Sequence, residues 1–132
     1  MKKLLKTAIS LALCAVLLLF AAAPAFASTD NHSHIDYGLG VQVDCSSVLN
    51  AIRAKGTITL SFVPNVNHLQ ESDYCCSVYV VVVYSEAGSA TSDSGICGMT
   101  ATAKVIHGSR QPLSAYFIYH ANYSFMHDIT LY

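Results

Sequence analysis

The chain reads as an all-β protein, a small antiparallel β-sandwich, with a small closed β-barrel as the second choice. Three observations predict it. Apolar side chains recur at every second position across most of the chain, which is the strand period and not the helix period. Valine, tyrosine, threonine and isoleucine, the residues that pack well on a pleated surface, dominate those stretches. Turn residues punctuate them often enough for six to seven short strands in about a hundred residues.

The first 27 of the 132 residues have a different character. MKKLLK is basic, TAISLALCAVLLLFAAAP is apolar, and AFA ends on small residues, the order of a secretory signal peptide with cleavage after Ala27. The Lys-rich, Ala-rich form points to a bacterial source, and Cys14 is discarded with the leader. Cleavage leaves 105 of 132 residues, enough for one core and too few for two. Within them, 28–36 (STDNHSHID) has no apolar period and reads as a flexible N-terminal tail, with the sandwich domain over 37–132. No membrane span remains once the leader is gone.

In YGLGVQVDC, Leu39, Val41, Val43 and Cys45 fall in phase, as on one buried face. SSVLNAIRAKG fits strand and turn, with a short helix capped by Ser47 as the alternative. GTITLSFV places Ile58, Leu60 and Phe62 on one face and threonines and serine on the other, and Pro64–Asn65 stops it. YCCSVYVVVVYSE is apolar at Tyr74, Cys76, Val78, Val80, Val82 and Tyr84 and half apolar on its other side, which predicts a central strand mostly covered on both faces. AGSATSDSG reads as a flexible turn. MTATAKVIH turns Met99, Ala101, Ala103 and Val105 inward. From Leu113 to Tyr132 one parity holds Leu113, Ala115, Phe117, Tyr119, Ala121, Tyr123, Phe125, Ile129 and Leu131. That run exceeds an ordinary strand, so a bend near His120 to Asn122 divides it.

Four cysteines, Cys45, Cys75, Cys76 and Cys97, remain in an exported chain and predict two disulfides. Adjacent residues on a strand face opposite ways, so Cys75 and Cys76 take different partners. Cys45 with Cys76 across the core is the first choice, because both share inward parity, and Cys75 with Cys97 follows by elimination.

Charge narrows the function. Lys2, Lys3 and Lys6 leave with the leader, so four basic side chains face eight acidic ones. Arg53, Lys55, Lys104 and Arg110 are few and scattered, which excludes nucleic acid and anionic lipid as partners. Six histidines (His32, His34, His68, His107, His120 and His127) invite metal or hydrolase readings. HSH alone offers two ligands, however, and His127 and Asp128 are strand neighbours that face apart. No G-x-S-x-G elbow or paired carboxylates stand out. No catalytic, cofactor-binding or metal residue is therefore assigned, and no cofactor is expected. Tyr79, Tyr116, Tyr119, Tyr123 and Tyr132 could offer phenols for recognition on an open sheet face. The expectation is a secreted, non-catalytic extracellular or cell-surface binding module for an unknown protein or surface ligand. A bacteriocin-like antagonist and an exported metal-binding protein using its histidines are the competing readings. Oligomeric state is not legible.

Overall fold

The computed structural model describes residues 27–85, 90–96, 98–122 and 125–132. Residues 1–26, which hold all but the last position of the expected leader, and Glu86, Cys97 and Tyr123 lie outside the described residues. Eight strands form two four-stranded antiparallel sheets: β1 (Ser28–Asp36), β2 (Val41–Leu49), β3 (Arg53–Phe62), β4 (Cys76–Tyr84), β5 (Ala90–Ile96), β6 (Thr100–Ile106), β7 (Pro112–Ala121) and β8 (Phe125–Leu131). Sheet A runs β1-β2-β3-β6 and sheet B runs β5-β4-β7-β8. The sheets stack as a sandwich and do not close into a barrel, so the predicted class holds and the barrel alternative does not. Among the described residues no helix is long and apolar enough to cross a membrane.

Two-residue periodicity builds the core. Val41, Val43, Cys45 and Leu49 on β2 and Ile58 and Leu60 on β3 point from sheet A toward Val78, Val80 and Val82 on β4 and Phe117 and Tyr119 on β7. Burying each such aliphatic side chain contributes roughly 1.5–3 kcal/mol before chain entropy is subtracted. Sheet A supplies small inward residues, Ala54, Gly56, Ala101 and Ala103, and of these Gly56 lies against the two large rings of β7. Gly56 lies so close that an added Cβ would stand 2.9 Å from the Tyr119 hydroxyl and 3.1 Å from the Phe117 ring. The phenol of Tyr119 crosses at this point to sheet A, where it donates to the Ser46 carbonyl oxygen at 2.8 Å and meets the Ser47 hydroxyl at 2.6 Å.

SSVLNAIRAKG is strand, turn and strand, with the Asn50 side chain accepting from the amides of Ile52 and Arg53 to form the turn. The bend expected near His120 to Asn122 is there: β7 ends at Ala121 and Asn122 adopts φ 48°. Three expectations need correction. Residues 28–36 form β1, paired with β2 from Ser28 opposite Leu49 to Asp36 opposite Val41. Its polar side chains gave no period because an edge strand is held by its backbone ladder. The stretch read as a flexible turn contains β5, paired with β4 from Ser77 opposite Ile96 to Val83 opposite Ala90. Leu113 is 60 % exposed, because the register of β4 and β7 slips between Val83 and Tyr84, and the bulge reverses the parity of the residues before it. β4 is central, between β5 and β7, and mostly covered on both faces as expected, its outward Tyr79 being 40 % exposed.

The cysteine scheme is corrected as well. Cys45 and Cys76 both face the core, but no disulfide joins them and no Cα of β2 lies within 8 Å of any Cα of β4. A disulfide needs Cα atoms roughly 4.4–6.8 Å apart. Parity gave the right face and the wrong neighbour, since β4 stands over β3 and β6 while β2 stands over β7 and β8.

Candidate functional site

The outer faces of the two sheets differ in chemistry. On sheet A the outward positions of β2, β3 and β6 are mostly polar, with Gln42, Asp44, Ser46, Arg53, Lys55, Thr57, Thr59, Thr100, Thr102 and Lys104 outweighing the apolar Val48 and Ile106. On sheet B the centre is apolar. Tyr79 pairs with Ile118 and Val81 with Tyr116 across the β4–β7 ladder, so two phenols and two branched aliphatics make a diagonal quartet. Val83 continues it along β4. Tyr116 is 48 % exposed and Tyr79 40 %, while Val81, Val83 and Ile118 are half-buried. His120, Met126 and Asp128 border the patch. These two central strands are the ones whose inner faces carry Val78, Val80 and Phe117, so the outer quartet stands on strands anchored in the core.

Of the five tyrosines considered for recognition, the structure brings Tyr79 and Tyr116 together. Tyr119 has the opposite parity and is buried; its hydroxyl is pushed above the ordinary phenol value, first by burial and then by the neighbouring Cys45 and Asp30. Tyr132 is exposed at the chain end beyond β8. The partners that complete the patch, Val81 and Ile118, carry no chemical signal of their own and are placed there by the β4–β7 register.

The histidines separate. His120 faces out of sheet B and is exposed, whereas His127 faces in beside Tyr119, so the two that suggested hydrolase chemistry lie on opposite faces. His127 and Asp128 also face apart, as strand geometry requires. His127 stacks on His32 of β1 with ring centroids 4.1 Å apart, and its Nε2 is 3.9 Å from the Asp30 carboxylate. His32 thereby packs against β8. His68 stacks on Phe62, and buried His107 sits between the carbonyl oxygens of Asn50 and Arg110 at 2.8 and 3.0 Å. Among the described residues no three His, Cys, Asp or Glu side chains are grouped to hold a metal ion.

Cys45 lies opposite His32 in the β1–β2 register, with Asp30 nearby, which has the composition of a thiol–imidazole–carboxylate site. Its electrostatics oppose that chemistry. Burial pushes the thiol from 9.0 up to about 12, and the negative charges of Asp44 and Asp30 add to the rise. A nucleophilic cysteine needs the reverse shift. Cys45 is therefore expected to resist iodoacetamide in the native protein at neutral pH and to react at the ordinary rate in denaturant, measured by mass spectrometry. Stability follows with a definite sign. The unfolded thiol ionises near 9.0 and the folded one near 12, so the contribution is complete below pH 9 and is lost as the pH rises across that window.

Comparison of the chain with known protein families, with curated proteins and with solved structures finds no match.

Proposed function

We propose that the chain is exported and acts, without catalysis, as an extracellular or cell-surface binding module whose contact face is the outer side of sheet B. The observation that carries this reading is the Tyr79, Val81, Tyr116, Ile118 quartet, an apolar centre with polar borders on a twisted but rigid surface. Tyrosines with branched aliphatics are the usual material of a protein–protein contact, since phenols supply large area at low conformational cost and keep a hydroxyl for hydrogen bonding. The absence of tryptophan makes sugar stacking a poorer fit, so the partner is an extracellular protein.

The double variant Tyr79→Ser/Tyr116→Ser should abolish capture of the purified protein by intact cells of the source organism, in flow cytometry with labelled protein. Both side chains are exposed, so the melting temperature should change little; undiminished capture by a folded double variant would refute the reading.

Export and cross-linking belong to the same proposal. The mature N-terminus is expected at Ser28, the first residue of the β1 ladder. Ile96 pairs with Ser77, and the Cys76 amide donates to the Gly98 carbonyl oxygen at 3.1 Å, so the residues on either side of position 97 run alongside Cys76 and Ser77. Cys75 is exposed there, and a Cys75–Cys97 bridge would tie β5 to the start of β4. Peptide mapping of the secreted, non-reduced protein should show that pair linked and Cys45 as a thiol; a Cys45-containing linked peptide would refute the scheme.

A further inference from the structure

Three of the four basic side chains that follow the leader meet on the outer face of sheet A, although in sequence they are scattered. Arg53 and Lys55 alternate on β3, about 6.6 Å apart along the strand, and Lys104 on β6 stands directly opposite Lys55. The next pair along the same ladder is Thr57 with Thr102, whose hydroxyls are 3.3 Å apart. Arg53, Lys55, Thr102 and Lys104 line a shallow depression of about 350 Å³, at the low end of the range for small-ligand sites.

Two like charges directly opposed across an antiparallel pair disfavour the strand pairing that places them there. On its other side Lys55 faces Val48, and neither the opposite nor the diagonal outward positions of β2 and β6 carry a carboxylate. The outward acid on β2, Asp44, lies opposite Thr59 and is engaged by Ser33 at 2.6 Å and Gln42 at 3.0 Å. Lys104 has a further interaction of its own within the fold, so Arg53 and Lys55 are the cations on which the site rests. Around them the exported chain carries twice as many acidic as basic groups, which makes this the place where an anion is drawn to an otherwise repelling body.

We infer that this patch is a binding site for a tetrahedral oxyanion, a phosphate or sulfate group, held by the Arg53 guanidinium and the Lys55 ammonium with the Thr57–Thr102 hydroxyl pair beside them. The guanidinium fork matches two oxyanion oxygens at once, the ammonium takes a third, and the ligand's negative charge converts the Lys55–Lys104 repulsion into shared attraction. The depression is shallow, so it takes the charged group while the rest of a larger ligand projects into solvent. The site lies on the face opposite the tyrosine quartet and does not depend on that reading.

Amide NMR titration of the mature protein with inorganic phosphate, inorganic sulfate, a hexose phosphate and a hexose sulfate tests the site. Saturable shifts confined to Arg53, Lys55, Thr57, Thr102 and Lys104 are expected, with none from the uncharged hexose. Arg53→Gln or Lys55→Gln should each weaken binding about tenfold, the equivalent of one charge-assisted hydrogen bond, and sodium chloride should weaken it further. Tighter binding of the esters would identify an ester-bearing molecule as the source and equal binding the free ion; both support the site. Diffuse, non-saturating shifts, or unchanged affinity in the folded double variant Arg53→Gln/Lys55→Gln, would overturn it. Tyr79→Ser/Tyr116→Ser should leave these affinities unchanged, so failure of the sheet B reading and failure of this one are separate results.

Discussion

Gly56→Val is expected to cost about 3 kcal/mol or more, enough to lower the urea midpoint sharply and to leave a substantial unfolded fraction at physiological temperature. Position 56 faces the core from β3, and a Cβ there would meet Val78 at 2.8 Å, the Tyr119 hydroxyl at 2.9 Å and the Phe117 ring at 3.1 Å. None of these neighbours has room to retreat, because all three are fully buried. Gly56→Ala is the milder form and allows a sharper test. In wild-type protein Tyr119→Phe should cost roughly 1–3 kcal/mol, by leaving the Ser46 carbonyl and the Ser47 hydroxyl without their phenol partner. In the Gly56→Ala background the same change also removes the atom that the new methyl strikes, so its cost should shrink. Strict additivity in denaturant unfolding would refute the proposed contact.

Gly40→Ala should cost roughly 2–4 kcal/mol, for two reasons that add. The residue ends the turn from β1 to β2 at φ +69°, a left-handed conformation that a side chain disfavours. A Cβ would also stand 2.1 Å from the Asn67 carbonyl oxygen, a backbone atom. The loop between β3 and β4 folds over this turn: the Val63 amide donates to the Gly40 carbonyl oxygen at 3.0 Å, and the Tyr74 hydroxyl donates to that of Leu39 at 2.6 Å. Displacing Asn67 therefore loosens the entry to β4. Thermal unfolding of Gly40→Ala beside Gly98→Ala gives the control, since Gly98 also has positive φ but open space where the methyl would go. A Gly40 loss no larger than the Gly98 loss would show that the collision is relieved cheaply.

Much of this architecture is written in alternation. Strands with a buried face, such as β3 and β4, declare themselves because each second residue must be apolar. β1 and β5 are edge strands whose backbone ladders tolerate Ser, Asp, Asn and His, so their sequences resemble loops. Parity also predicts facing without predicting neighbours. Cys45 and Cys76 do point inward, but which strand lies across the sandwich depends on how the sheets stack, and that has no local signal. The same limit hid the cationic patch: Lys55 and Lys104 meet only because β3 pairs with β6, a partner that comes after two strands of the other sheet. Tyr79 and Tyr116 were legible as recognition residues by type, and their pairing with Ile118 and Val81 followed once the β4–β7 register was known.

The β3–β6 pairing also has a kinetic meaning. A chain that becomes free to fold from its N-terminus first can zip β1, β2 and β3 together by short turns, but β3 then waits with a bare edge until β6, ending at Ile106, is available. Such delayed, non-local closure slows folding and leaves a strand carrying Thr57, Ile58, Thr59 and Leu60 open to stray pairing with other nascent chains. Lys55, projecting from that waiting strand, is the kind of charge that discourages such pairing.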